Sequence, residues 1–168
     1  MKRIVSLADL VSRGGLGYGL EASTPREAIE KACVLVALPE TIIRAGLCRA
    51  LLEREALLST AIGRGIALPH PRNPLPFTAE TQRVAIFFTA EPIDFAALDG
   101  QKVSVLFLVL SADARSHLGV LAELAHLSRR EDFHELLSRK PAAEELIAWL
   151  RNYEAGWNQS GLKPEATR

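Results

Sequence analysis

One histidine, His70, stands between Pro69 and Pro71 in the stretch TAIGRGIALPHPRNP, shortly after the glycines Gly63 and Gly65. A neutral imidazole carries a free nitrogen lone pair near neutral pH, suited to attack on phosphorus or to metal ligation. The prolines restrict the backbone on either side, since Pro69 fixes its own φ and Pro71 drives His70 toward an extended conformation. Gly63 and Gly65 let the chain approach a ligand or turn its N–H groups toward an anion, which makes them candidates for a phosphoryl-binding loop. Arg54 continues the apolar stripe of a predicted helix, where its planar guanidinium would offer paired donors to a phosphoryl group. His117 falls in the first turn of another predicted helix, where backbone dipoles favour an anion. One nucleophilic ring, one guanidinium and a second imidazole make a candidate phosphohistidine site.

Each residue also has a plainer reading. An arginine at a helix C-terminus answers the helix carbonyls and macrodipole, and a glycine-bracketed strand before a loop histidine is common. A metal site on His70 and His117 lacks a carboxylate or thiolate at ligand spacing to complete it. His117 and His126 are nine positions apart on one helix, hence on opposite faces. His134, beside Phe133, reads as a solvated surface histidine. The expectation is therefore no metal and no cofactor. The cluster GGLGYG neither follows a strong strand nor opens a helix, and the chain has no Gly-x4-Gly-Lys-Ser/Thr phosphate loop and no Gly-x-Ser-x-Gly elbow.

Several elements must position the set. A helix is predicted from STPREAIEKACVLVAL, capped by Thr24 with Pro25 at its first position and Glu27 completing a capping box. A second follows Pro39, with Ile43, Leu47, Ala50 and Leu51 at helical spacing and Arg54 at its end. Residues 57–69 read as two brief strands, or a strand and a shaped loop. RVAIFFTA and KVSVLFLVL are nearly continuous apolar runs, as expected of central strands covered on both faces, with a turn at Asp99–Gly100 between them. An amphipathic helix spans 114–129 with Ser111 and Asp113 as capping candidates, and two short helices follow. The sum is an α/β fold, a mixed β-sheet flanked by helices on both faces. One domain is expected over residues 1–153, with a polar, flexible tail over 154–168.

Twenty basic and twenty acidic residues cancel and are scattered along the chain, which argues against nucleic acid as a partner. Nowhere do about eighteen apolar residues run without a charge, and the N-terminus lacks a signal-peptide core, so no direct membrane insertion and a cytoplasmic location are expected. Cys33 and Cys48 lie in apolar helical patterns without redox or zinc spacing and read as reduced core residues.

The segment from Glu55 to His70, E-x6-I-G-R-G-I-A-L-P-H, resembles the active-site signature of the fructose/mannitol-type IIA domains of the bacterial phosphotransferase system. PIDFAALDGQKVSVLFLVLS and HLGVLAELAHLSR resemble the family's later blocks in the same order. The resemblance implies a mixed sheet flanked by helices and a phosphoryl carrier, a phosphotransferase component rather than an independent multi-turnover enzyme. It implies that His70 accepts a phosphoryl group from the phosphocarrier protein HPr, with Arg54 and His117 assisting. The STxIGxGIALPH block is most like the stand-alone nitrogen-regulatory members, whose partner after HPr is a regulatory target protein. The alternatives are a sugar permease domain as next recipient, or a binding module of the same fold that is never phosphorylated. Pro71, Ala61 and Arg64 depart from the family's usual loop, and Arg64 and Arg72 are expected to add positive charge at the rim of the site.

Overall fold

The two long apolar runs pair with each other as the antiparallel centre of a five-stranded sheet. The computed structural model describes residues 5–160, with side chains through Gly156. In chain order the elements are α1 (Leu7–Gly14), β1 (Leu16–Leu20), α2 (Pro25–Leu35), α3 (Arg44–Leu57), β2 (Ala61–Gly63), β3 (Ile66–Ala67), β4 (Arg83–Ile93), β5 (Val103–Leu110), α4 (Ala114–Leu127), α5 (Glu131–Ser138) and α6 (Ala143–Ser160). The strand order is β1-β4-β5-β3-β2, with β1 parallel to β4, β4 antiparallel to β5, β3 parallel to β5, and β2 antiparallel to β3. The sheet is mixed.

Alternation along the strands divides the core in two. Val84, Ile86 and Phe88 of β4 join Val105, Phe107 and Val109 of β5 beneath α1, α4, α5 and α6. Ala85 and Phe87 join Leu106, Leu108 and Leu110 beneath α2 and α3. With helices covering both faces, the covered strand positions are almost all apolar, which is why Val84–Phe88 and Val105–Leu110 read as runs without a polar side. Thr24 caps α2 by accepting from the Glu27 amide, with Pro25 at the start as the sequence predicts. Asp113, rather than Ser111, caps α4.

Three features depart from the sequence expectations. First, α1 and β1 are not legible in the sequence: β1 is five residues long and two of them are glycine. Gly17 is required there, because a Cβ would sit 2.7 Å from the Phe87 ring. Second, Ile43 does not join the inward stripe of α3; it is the N-cap residue and 77% exposed, while Leu47 and Leu51 are buried. Third, the chain does not loosen at residue 154. The α6 helix continues to Ser160, and the buried Glu154 carboxylate accepts from the Ser6 hydroxyl at 2.8 Å and the Ala8 amide at 3.1 Å. A carboxylate at the positive end of α1 is favourably placed, so Glu154 ties the last helix to the first. Residues 161–168 of the expected tail lie outside the described residues.

The cysteines sit between α2 and α3. Cys33 is buried and Cys48 half-buried, and burial with the neighbouring Cys48 pushes the Cys33 thiol far up, as expected of an unreactive core thiol.

The tightest backbone approach lies where α1 crosses β4: a Cβ on Gly14 would stand 2.1 Å from the Val84 carbonyl oxygen. Gly14→Ala is therefore expected to destabilise the fold by about 1–3 kcal/mol or more, since the obstacle is strand backbone rather than a movable side chain. A thermal melt matching the wild type would contradict this packing.

Candidate functional site

The site is assembled at the carboxyl ends of the parallel pair β3 and β5. β2 and β3 form a tight hairpin in which the Leu68 amide donates to the Thr60 carbonyl at 3.0 Å. Beyond β3 the chain stays in register with β5, the Val109 amide donating to the Pro69 carbonyl at 2.9 Å. His70 thus leaves the sheet beside the end of β5, and β5 passes through Ser111–Asp113 into α4, which carries His117 in its first turn. The two rings lie 4.9 Å apart between centroids, inclined at 55°. Position at the strand ends follows the general tendency of open α/β sheets to place ligands there.

The His70 ring is oriented by its own backbone. Its Nδ1 lies 2.7 Å from the Leu68 carbonyl oxygen, which can only accept, so Nδ1 carries the proton and Nε2 keeps its lone pair. His117 Nδ1 faces the Ser111 hydroxyl at 3.4 Å. Burial is the first cause that holds both rings below the ordinary imidazole value of 6.5. The Arg54 charge adds to this at both rings, and His70 adds to it at His117, while the Leu68 bond and the Glu55 carboxylate pull His70 partly back up. Both imidazoles are thereby biased toward the neutral form.

Arg54 answers the carbonyl end of its own helix. It follows Leu47 and Leu51 along α3, half-buried, and donates to the Leu58 carbonyl at 2.7 Å, closing the helix end. Its charge is nevertheless close enough to act on both imidazoles. Arg72, Pro71, Asn73 and Pro74 form one wall of a groove whose other side is Ser111, Asp113, Ala114 and His117. Pro71 is buried, and the loop it begins stays folded against α4.

The structure does not bring Gly63 and Gly65 to these rings. Both have positive φ, +90° and +77°, and form the turn of the hairpin at the end remote from His70, roughly 16 Å of extended chain away. The Arg64 amide between them donates to the Asp99 carboxylate at 2.7 Å, and the Gly65 carbonyl accepts from the Ser104 and Val105 amides. These bonds serve the turn and the sheet, not an anion beside His70. Arg64 likewise leaves the rim: its guanidinium donates to the Arg129 carbonyl at 3.2 Å at the far end of α4 and pairs with Glu131 at 2.6 Å. His134, expected to be solvated, has Nε2 2.6 Å from the Ser128 carbonyl. Among the described residues, no group of three or more His, Cys, Asp or Glu side chains is arranged to hold a metal ion.

Glu55 was visible only as the first letter of the signature, with no role. Its carboxylate accepts from the Thr60 amide at 3.2 Å and from the Thr60 hydroxyl at 2.5 Å, directly behind the hairpin that presents His70.

Residues 16–153 match the family described as phosphoenolpyruvate-dependent sugar phosphotransferase system, EIIA 2. A nitrogen regulatory protein of Pseudomonas aeruginosa is 31% identical over 157 residues, covering 91% of this chain and 99% of its own. One from Bradyrhizobium diazoefficiens is 28% identical over 148 residues, covering 86% and 94%. The crystal structure of nitrogen regulatory protein IIA-Ntr from Neisseria meningitidis superposes with a TM-score of 0.70 at 30% identity, covering 85% of this chain and 97% of that one.

A ring whose protonated form is disfavoured by folding binds its proton more readily in the unfolded chain, so His70 and His117 contribute stability above about pH 6.5 that is lost as pH falls below it. In an NMR titration both are expected to have midpoints below 6.5, and His70→Asn is expected to raise that of His117 by removing a like charge. A His117 midpoint unmoved by that substitution would contradict the coupling.

Proposed function

The chain belongs to the EIIA 2 family of the phosphoenolpyruvate-dependent sugar phosphotransferase system, and from that premise we propose that it is a phosphoryl carrier of the nitrogen-regulatory type, with His70 Nε2 as the acceptor. The observation that carries the reading is the committed tautomer of His70: Nδ1 is held at the Leu68 carbonyl, leaving one nitrogen able to attack. The near end-to-end match to nitrogen regulatory proteins supports the regulatory branch.

The donor is phosphorylated HPr. His70 Nε2 forms a bond to phosphorus as the donor's P–N bond breaks, and the bonding pair remains on the donor imidazole. The His70 ring gains positive character in this step, and the Leu68 carbonyl stabilises it through the Nδ1–H bond. Arg54 swings from the Leu58 carbonyl to the phosphoryl oxygens, and His117 donates a hydrogen bond to them or orients His70. Catalysis is mostly positioning and charge stabilisation, so no cofactor is required. Leu57, Leu58 and Leu118, between 62% and 71% exposed on the elements that carry Arg54 and His117, give a protein partner an apolar surface to dock on.

The phosphorylated form presents new negative charge within that surface, changing which regulatory target protein it binds. The carrier works in the cytoplasm, and no helix among the described residues is long and apolar enough to cross a membrane.

Incubation with phosphoenolpyruvate, Enzyme I and HPr is expected to add one acid-labile phosphoryl group to the wild type and none to His70→Ala, with Arg54→Ala slowed about a hundredfold. The rate should rise with pH to a plateau above the His70 midpoint, because only the neutral ring attacks. No uptake by the wild type, or equal uptake by His70→Ala, overturns the reading.

A further inference from the structure

The bond that orients His70 depends on where the Leu68 carbonyl stands, and that carbonyl is placed from two sides. Toward β5, the next residue, Pro69, accepts from Val109. Toward the edge of the sheet the only neighbour among the described residues is β2, a three-residue strand whose register with β3 shifts between Ala61 and Gly63. A strand so short and irregular has little capacity to hold a partner in place by its own ladder. The bond that carries the pairing up to the site is the one from the Leu68 amide to the Thr60 carbonyl.

Thr60 is itself anchored. The residue is 4% exposed, and both its amide and its hydroxyl donate to the Glu55 carboxylate on the last turn of α3. The neighbouring Ala61 amide donates to the Ser59 hydroxyl, so the short link between helix and hairpin is closed by side chains. Hydrogen bonds to a carboxylate are stronger than those between neutral groups, and two of them here hold one residue. The resulting path runs from α3 through Glu55 and Thr60 to Leu68 and then to His70 Nδ1.

We propose that Glu55 is a positioning residue for His70, fixing the Nδ1-protonated tautomer through Thr60 and the Leu68 carbonyl. Its consequence for transfer rests on the phosphoryl-acceptor reading above; its geometry does not. Arg54 and Glu55 are adjacent in sequence but act on the ring by different routes, the arginine through its charge and the glutamate through the backbone that aims the nucleophile. Glu55 does not touch the reacting atoms and takes no proton in the step. A phosphoryl acceptor aimed wrongly by about 1 Å is expected to lose on the order of a hundredfold in rate.

Two-bond proton–nitrogen NMR spectra of the 15N-labelled full chain at pH 8 report the His70 tautomer without any phosphoryl donor. Wild type and Glu55→Gln, whose amide oxygen still accepts from Thr60, are expected to show one tautomer with Nδ1 protonated. Glu55→Ala is expected to show a mixture of the two tautomers and phosphoryl uptake slowed about tenfold to a hundredfold. Thr60→Val, which keeps shape but loses the hydroxyl, carries the expectation of a partial mixture should Glu55→Ala fail to fold. An unchanged tautomer in the folded Glu55→Ala and Thr60→Val variants overturns the inference, as does Glu55→Gln failing alongside Glu55→Ala. If wild type shows the single tautomer yet takes up no phosphoryl group from HPr, the functional reading falls and the positioning inference stands.

Discussion

A 2.7 Å hydrogen bond from His70 Nδ1 to the carbonyl two residues earlier in the chain is the constraint from which the chemistry of this site follows. It assigns the proton to one nitrogen and the nucleophilic lone pair to the other. The carbonyl belongs to Leu68, whose amide donates across the hairpin and whose successor, Pro69, accepts from Val109 of the central strand β5. Proline at 69 and 71 reduces the ways this corner can relax. The ring is therefore positioned by the sheet itself, and the sheet is rigid because helices cover both faces of its two central strands.

Around that bond the electrostatics are opposed. Burial and the Arg54 charge disfavour a protonated His70, while the Leu68 carbonyl and Glu55 favour it. The net effect leaves a neutral ring with an available lone pair, yet one with partners ready when positive character develops. A phosphoryl acceptor benefits from both, since the neutral form attacks and the cationic form must be accommodated. Arg54, half-buried and bonded to the end of its own helix, supplies charge without requiring a buried unpaired cation. Its ordinary capping role and its proposed phosphoryl role use the same side chain in two positions.

Much of this was legible because of its chemistry. The apolar runs at 84–89 and 103–110 could only be central strands, and the proline-bracketed His70, Arg54 and His117 stood out by residue type alone. The structure brings the two rings to 4.9 Å across 46 residues of intervening sequence. The glycines misled for a physical reason: positive φ serves a hairpin turn as well as an anion, and only the register shows that Gly63 and Gly65 sit at the far end of β3. Arg64 misled likewise, since nothing local reveals that its partners are Glu131 and the end of α4. β1 was hidden because Gly17 answers to the Phe87 ring on another strand and Gly19 to a positive φ of its own. Helix α6 was hidden past Tyr153 because its anchor, Glu154, meets α1 at the opposite end of the chain.

The central claim concerns one atom, His70 Nε2. The most direct measurement is the site of phosphorus attachment in the 15N-labelled protein after phosphorylation through HPr, read from the ring-nitrogen shifts and their coupling to phosphorus. Phosphorus is expected on Nε2 of His70, with Nδ1 still protonated against the Leu68 carbonyl. Phosphorus on Nδ1 of His70, or on His117, would contradict it.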